Sequence, residues 1–267
     1  MNIKETLVKQ DFHFKKKFGQ NFLIDQNILE NIVVVSDVDK ETLVIEVGVG
    51  AGALTEKLLE KAGFVLGYEI DESLKSILDA RFQNENIKII YDDFLKRDLH
   101  KDLSFSEYKK IKIVANLPYY ITTPIIKKVI DEIEVDAMII MVQKEVGDRF
   151  SAKPNSKEYG SLTIFLNYHF EIFKRFTVSR NVFYPKPNVD SLIVEFKKKS
   201  NPIINNEDIF FKLVKDAFRF KRKTIKNNLQ NYDLDKILII LKKYGYDLSV
   251  RAESLSMEIF IEIANAL

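Results

Sequence analysis

Between about residues 43 and 142 the chain alternates two hydrophobic rhythms. The runs "TLVIEV", "FVLGYEI", "NIKIIY", "KIKIVAN" and "AMIIMV" are short, β-branched and apolar almost throughout, which predicts strands covered on both faces. Between them, "ALTEKLLEKAG", "ESLKSILDARF" and "TPIIKKVIDEI" place apolar residues three and four apart, the period of a helix with one buried face. Such alternation predicts βαβ units and a mostly parallel sheet, an α/β Rossmann-like architecture. Upstream, "DQNILENIVVVSDV" predicts a lead-in helix with Asp25 as its N-cap. Downstream, "FEIFKRFTVS" and "VDSLIVEFKKK" predict an antiparallel pair closing the sheet edge. "KKKSNPIINNED" has the charge, proline and asparagines of a linker. Beyond it "EDIFFKLVKDAFRF", "LDKILIILKKYG" and "SMEIFIEIANA" return to helical spacing, so a domain over residues 1–200 and a small helical domain over 201–267 are expected.

Composition narrows the chemistry. The 267 residues include no cysteine and only three histidines, His13, His100 and His169, far apart in sequence. A thiolate site, a cysteine nucleophile and a histidine metal cluster are therefore not expected, and no metal is assigned. The first residues lack an apolar signal core and no apolar run approaches a membrane span, so a cytoplasmic, membrane-free protein is expected, and a monomer for want of a long exposed apolar face. Charge is segregated. Residues 197–226 hold ten basic against three acidic residues, a net of +7, and residues 1–20 a net of +3, although the whole chain is only +2. Two basic segments beside a more acidic body suit a phosphate backbone.

Candidate site residues fall at the predicted strand ends. In "VIEVGVGAGALT", Gly48, Gly50 and Gly52 permit a tight turn and close ligand approach before a helix. Glu69 ends the next strand about 20 residues on, where an acid accepts hydrogen bonds from a ribose diol. Asp93 follows the third strand, placed to accept from the amine of an adenine. These three strand ends point to a nucleoside ligand in the crevice of an open sheet. The fourth strand ends in "NLPYY": the Asn116 amide oxygen and the Leu117 carbonyl are acceptors, Pro118 stiffens the backbone between them, and Tyr119 offers a stacking face. Two acceptors and a ring suit an extruded base gripped by its amino group, positioned for in-line attack on the methyl of a sulfonium cofactor.

Together "KKFGQNFLID", "NLPYYITTP", "QKEVGDRF", "PNSKEYGSL", "FYPKPNVDS" and "AFRFKRKTIKNNL" resemble the small-subunit rRNA adenine dimethyltransferases over nearly the whole chain. The resemblance implies a class I methyltransferase fold and transfer of four methyl groups from S-adenosylmethionine, without a metal, to two adjacent adenosines. Their place is the 3′-terminal hairpin loop of small-subunit rRNA within an assembling 30S particle. It implies cofactor contacts from Asn21, Leu23, Gly48, Gly50, Glu69, Asp93 and Asn116, a base grip from Asn116, Leu117, Pro118 and Tyr119, and closure of the other side of the base by Phe183. It also gives the basic segments a partner, with Lys15, Lys16, Lys17, Arg219, Lys221, Arg222 and Lys223 on rRNA phosphates. Two positions depart from the family pattern: Val49 stands where proline is usual and Tyr120 where asparagine is usual. The rival readings are a large-subunit rRNA adenine methyltransferase, a DNA adenine methyltransferase, a non-catalytic assembly factor and a nicotinamide oxidoreductase. Against the first stand the motifs "YPKPNVDS" and "AFRFKRKTIKNNL".

Overall fold

A computed structural model describes residues 21–83, 86–118 and 121–267. They form two compact units, one of residues 21–147 and 173–198, the other of 148–172 and 199–267.

The first unit is built on a seven-stranded sheet. After a short strand β1 (Phe22–Leu23), helix α1 (Gln26–Ser36) starts at Asp25, whose carboxylate accepts the Ile28 N–H at 3.0 Å, the cap expected from the sequence. Then follow β2 (Thr42–Val47), α2 (Ala53–Lys61), β3 (Phe64–Tyr68), α3 (Lys75–Arg81), β4 (Ile87–Ile90), the single turn α4 (Leu99–Asp102), β5 (Lys110–Asn116), α5 (Thr122–Glu132) and β6 (Ala137–Gln143). The strands β2 to β6 pair in parallel and stand in the order β4-β3-β2-β5-β6. Val44, Val65, Val114, Ile139 and Met141 are buried with Leu29, Ile32, Leu54 and Leu58 of α1 and α2, so the β-branched runs are the core. Because β3 lies on one side of β2 and β5 on the other, the chain changes direction across the sheet between β2 and β5. A crevice opens outside the strand ends at such a point.

Beyond β6 come α6 (Lys144–Phe150), α7 (Ser161–His169), β7 (Phe170–Val178), β8 (Phe183–Tyr184) and β9 (Ser191–Lys198). Strand β9 runs antiparallel to β6 and separates it from β7, the edge strand. The predicted closing segments are thus both strands of the sheet. Strand β8 pairs instead with β1, aligning Phe183 with Leu23. Neither residue pair is long enough to leave a periodic signal.

The second unit is helical: α7, α8 (Glu207–Ala217), the turn α9 (Ile225–Asn228), α10 (Leu234–Lys243) and α11 (Met257–Ala266). The chain passes into the second unit after residue 198, and residues 148–172, expected with the sheet, pack with the C-terminal helices. Tyr159, Ile164 and Tyr168 are buried there against Phe210, Leu213, Val214, Leu241 and Phe260. Two hydrogen bonds fasten the segment, from Tyr168 Oη to Glu207 at 2.7 Å and from Tyr159 Oη to the Leu255 carbonyl at 2.9 Å. Contiguity in sequence concealed this, since "SLTIFLNYH" carries apolar residues all round and no face to assign. His169 is a packing residue, stacked on Phe211 with ring centroids 5.7 Å apart. Among the described residues no helix is long and apolar enough to cross a membrane.

Candidate active site

The glycine turn after β2 is the floor of the crevice. Gly48, Gly50 and Gly52 all have positive φ, at 83°, 57° and 77°. A side chain at Gly50 would lie 2.8 Å from the Phe22 ring, and one at Gly52 2.5 Å from the Phe82 ring, so close packing as well as backbone conformation demands glycine at both. The turn is tied to β3 through the N–H groups of Gly48 and Val49, which donate to the Tyr68 carbonyl at 2.8 and 3.2 Å. Val49 is 4% exposed and packs with Phe22, Ala51, Leu74, Ile77 and Leu78. In place of the usual proline it thus supplies an apolar anchor beneath the turn.

Glu69 stands where β3 ends and is 5% exposed. Its two carboxylate oxygens accept the Gly50 N–H at 2.7 Å and the Asp71 N–H at 2.8 Å. Burial raises its pKa above the ordinary carboxylate value, and these backbone donors oppose the shift. An ionised carboxylate has about four acceptor sites, so it can hold the turn and still accept from a ligand diol.

At the end of β5, Asn116 lies on the other side of β2. Its Nδ2 donates to the Asn21 carbonyl at 3.2 Å, which leaves Oδ1 as the acceptor. The Pro118 carbonyl caps α5, accepting the Ile121 N–H at 3.2 Å and the Thr122 hydroxyl at 3.5 Å, and Leu117 is buried at 1% exposure. The "NLP" backbone is thereby locked between the strand and the following helix.

These groups share one cleft of about 880 Å³, counting the part open to solvent. Asn21, Leu23, Gly48, Gly50, Glu69, Asn116, Leu117 and Pro118 of the sequence-predicted set line it. Asp93 does not. It follows β4, where its Oδ1 accepts the Leu95 N–H at 3.0 Å and its Oδ2 lies 3.8 Å from Lys96. The loop around it is held by Arg97, which donates to Asp92 at 3.2 Å and to the buried Asp102 at 2.6 Å, while Tyr68 donates to Asp102 at 3.1 Å. Phe183 is also placed otherwise than expected. It is 3% exposed and packs with Leu23 and Leu29 in the core, because its strand is drawn in by pairing with β1, and it offers no open face to a base.

Tyr119, Lys15, Lys16 and Lys17, with Tyr120, lie outside the described residues. Arg219, Lys221, Arg222 and Lys223 belong to the helical unit and are exposed. The helical spacing of "EDIFFKLVKDAFRF" predicts Arg219 on a helix, but α8 ends at Ala217 and all four cations sit on the loop before α9. Asn228 closes that loop, donating to the carbonyls of Ala217 at 2.6 Å and Phe220 at 3.2 Å. A terminating side chain of this kind is invisible to periodicity.

Sequence reasoning passed over Glu46, Phe22, Leu29, Ile32 and Leu54, which also line the cleft. The signal for Glu46 was present: an acid inside the apolar run "TLVIEV". Burial pushes its pKa up to about 8, with the nearby Glu69 adding and a hydrogen bond from Thr55 opposing. Among the described residues the cleft is lined by these two acids and by no Lys, Arg or His. It is therefore suited to a nucleoside carrying positive charge and unsuited to a pyrophosphate. S-adenosylmethionine, a nucleoside with a sulfonium and an ammonium group, fits that donor and acceptor set.

Comparison with known proteins agrees. The family model described as ribosomal RNA adenine dimethylase matches residues 11–267. A relative from Bacillus mycoides, named ribosomal RNA small subunit methyltransferase A, is 45% identical over 276 residues, covering 99% of this chain and 94% of its own. The relative of that name from Bacillus cereus strain AH187 is likewise 45% identical. The crystal structure of a dimethyladenosine transferase from Plasmodium falciparum superposes with a TM-score of 0.75 at 26% identity, covering 90% of this chain and 94% of that one. The 23S rRNA methyltransferase ErmE shares the fold, with a TM-score of 0.73 at 23% identity over 92% of this chain and 99% of that one. The architecture is that of a class I methyltransferase, S-adenosylmethionine is the methyl donor, and the chain belongs to the ribosomal RNA adenine dimethylase family.

Proposed function

We propose that the chain methylates N6 of two adjacent adenosines, twice each, in the 3′-terminal hairpin loop of small-subunit rRNA, acting as a cytoplasmic monomer on an assembling 30S particle. The observation that carries this reading is the Asn116 amide, oriented by the Asn21 carbonyl at the mouth of the cleft that holds Glu69 and the glycine turn. With its Nδ2 engaged, Asn116 presents Oδ1 to an amino group, and the Leu117 carbonyl on the locked backbone supplies the second acceptor. An exocyclic amine is a poor nucleophile because its lone pair is delocalised into the adenine ring. Two acceptors fix its orientation and favour a more tetrahedral nitrogen, which points the lone pair at the reacting carbon. Bound S-adenosylmethionine supplies an electrophilic methyl on sulfur.

Tyr119 stacks on the base and Glu69 takes the cofactor ribose, while Asn21, Leu23, Gly48 and Gly50 shape the cleft around the rest. Phe183 contributes through the β1 edge, holding Leu23 in register. Lys15, Lys16 and Lys17 with Arg219, Lys221, Arg222 and Lys223 bind rRNA phosphates; Arg219 lies 5.5 Å above the ring of Phe220, itself 57% exposed and available to a base. The name of the Bacillus mycoides relative supports the small subunit as the substrate.

The test is nucleoside mass spectrometry of unmodified small-subunit particles incubated with the protein and S-adenosylmethionine. N6,N6-dimethyladenosine at two adjacent positions is expected with the native chain and not with Asn116→Ala. Methylation of large-subunit rRNA instead, or particle binding with no methylation, would replace this reading with one of its rivals.

A further inference from the structure

Helix α5 carries two pairs of a lysine and an acid four residues apart, Lys127 with Asp131 and Lys128 with Glu132. By spacing alone they are alike, and each would be a weak pair on a solvated helix face. The structure separates them. Lys127 and Asp131 meet at 2.6 Å with side chains 62% and 50% exposed. Lys128 is 11% exposed. Its Nζ donates to the Arg97 carbonyl at 2.6 Å and pairs with Glu132, whose other carboxylate oxygen accepts the Leu99 N–H at 3.2 Å. The two side chains thus clamp the C-terminal half of α5 to the segment joining β4 and α4.

That segment is itself tied to the floor of the cleft. Arg97 donates to Asp102, Asp102 accepts the Tyr68 hydroxyl, and the Tyr68 carbonyl accepts the N–H groups of Gly48 and Val49. A run of hydrogen bonds therefore leads from the glycine turn to α5. At its N-terminal end α5 is capped by the Pro118 carbonyl, directly after Asn116 and Leu117. Ile125, Ile126 and Val129 of the helix are buried. Apolar burial is non-directional and resists separation, whereas the directed bonds of Lys128 and Glu132 fix where along its axis the helix stops.

We propose that Lys128 is a positioning residue for methyl transfer: it sets α5, and with it the Asn116 and Leu117 acceptors, in register with the glycine turn. The inference rests on the reading above, in which those acceptors grip the target amine. Register counts most in the second transfer to each base. Each transfer exchanges one N–H proton, released to water, for a methyl group. The unmodified amine has an N–H for each acceptor; the monomethyl amine has one, so its orientation rests on a single hydrogen bond and on where that acceptor stands. A misplacement of about 1 Å costs on the order of 10²-fold, and displaced acceptors slow the second transfer more than the first. Partial unfolding removes active molecules and slows both alike.

The experiment is a time course of nucleoside mass spectrometry on unmodified small-subunit particles, with saturating S-adenosylmethionine and the full chain, native or Lys128→Met. The variant should accumulate N6-methyladenosine ahead of N6,N6-dimethyladenosine, its second transfer slowed roughly tenfold and its first by less. Its cofactor affinity by calorimetry should be unchanged, and amide hydrogen exchange over residues 121–132 should be faster. Lys128→Arg, which keeps the charge and at least two donors, should restore the native product ratio. Lys127→Met, at the solvated pair of the same helix, should leave that ratio unchanged. Should Lys128→Met fail to fold, Glu132→Ala, which releases the Leu99 N–H from the other half of the clamp, should shift the ratio the same way. A native product ratio in folded Lys128→Met, or an equal shift in Lys127→Met, overturns this inference alone. No dimethyladenosine with the native chain overturns the proposed reaction as well.

Discussion

The cleft at the strand ends and the basic loop before α9 are built by opposite physical means. In the cleft the polar groups are buried or, for Asn116, half-buried, each held by a partner: Glu69 by two backbone N–H groups, Asn116 by the Asn21 carbonyl, Glu46 by Thr55. The loop presents Arg219, Lys221, Arg222 and Lys223 to solvent on a backbone that Asn228 closes. Burial makes each polar group in the cleft specific, since an unmatched ligand leaves it without water and without a partner. Exposure makes the loop tolerant, because cations in water read phosphate charge without sequence and are screened by salt. A reaction at one atom of one base needs the first kind of recognition, and engaging a long polyanion needs the second.

Four perturbations sharpen that contrast. The largest effect is expected from Asn116→Ala, which removes the oriented acceptor. Single-turnover transfer of a labelled methyl group should fall by about 10²–10³, by analogy with loss of a preorganised hydrogen bond at a reacting centre, while particle affinity holds. Equal loss of particle affinity would put Asn116 in RNA binding and blur the two regions. Second, alanine at Arg219, Lys221, Arg222 and Lys223 together should reduce the salt slope of particle binding by about 3, one phosphate contact being worth roughly 0.7–0.9. Cofactor affinity measured on the same variant should be unchanged; an unaltered salt slope removes the loop from the interface.

Third, Gly52→Ala forces a Cβ to within 2.5 Å of the Phe82 ring at a φ of 77°. A cost of about 1–3 kcal/mol is expected in thermal unfolding, with weakened cofactor binding. A variant as stable as the native chain would show that the turn relaxes freely. The smallest effect concerns the loop carrying Asp93. Arg97 beside Asp102 holds that carboxyl below the ordinary aspartate value of 3.8. A depressed native pKa stabilises the fold above the unfolded value and is lost as pH falls below it. Arg97→Ala should therefore lower stability at neutral pH and flatten the loss of stability in acid below that value, read by denaturant midpoints across the acid range. Unchanged acid sensitivity would show that the ion pair contributes nothing there.

The alternation of β-branched runs with helical spacing determined the parallel sheet on its own, because strands buried on both faces and helices buried on one each carry a distinct local period. Each predicted strand and helix from residue 42 to 143 is present, with the Asp25 cap. The glycine turn, Glu69 and "NLP" were equally legible, since turn chemistry and strand-end acids are local properties of the chain. Only the tertiary structure decided the rest. It drew residues 148–172 into the helical unit, buried Phe183 beside Leu23, placed the four cations on a loop, and set Glu46 beside Glu69. Every one of these depends on a partner distant in sequence: Phe210 and Leu255 for the segment, β1 for Phe183, Asn228 for the loop, Thr55 and Glu69 for Glu46. Local periodicity carries no record of such partners, because the free energy that selects them is the desolvation and packing of groups brought together only when the chain has folded.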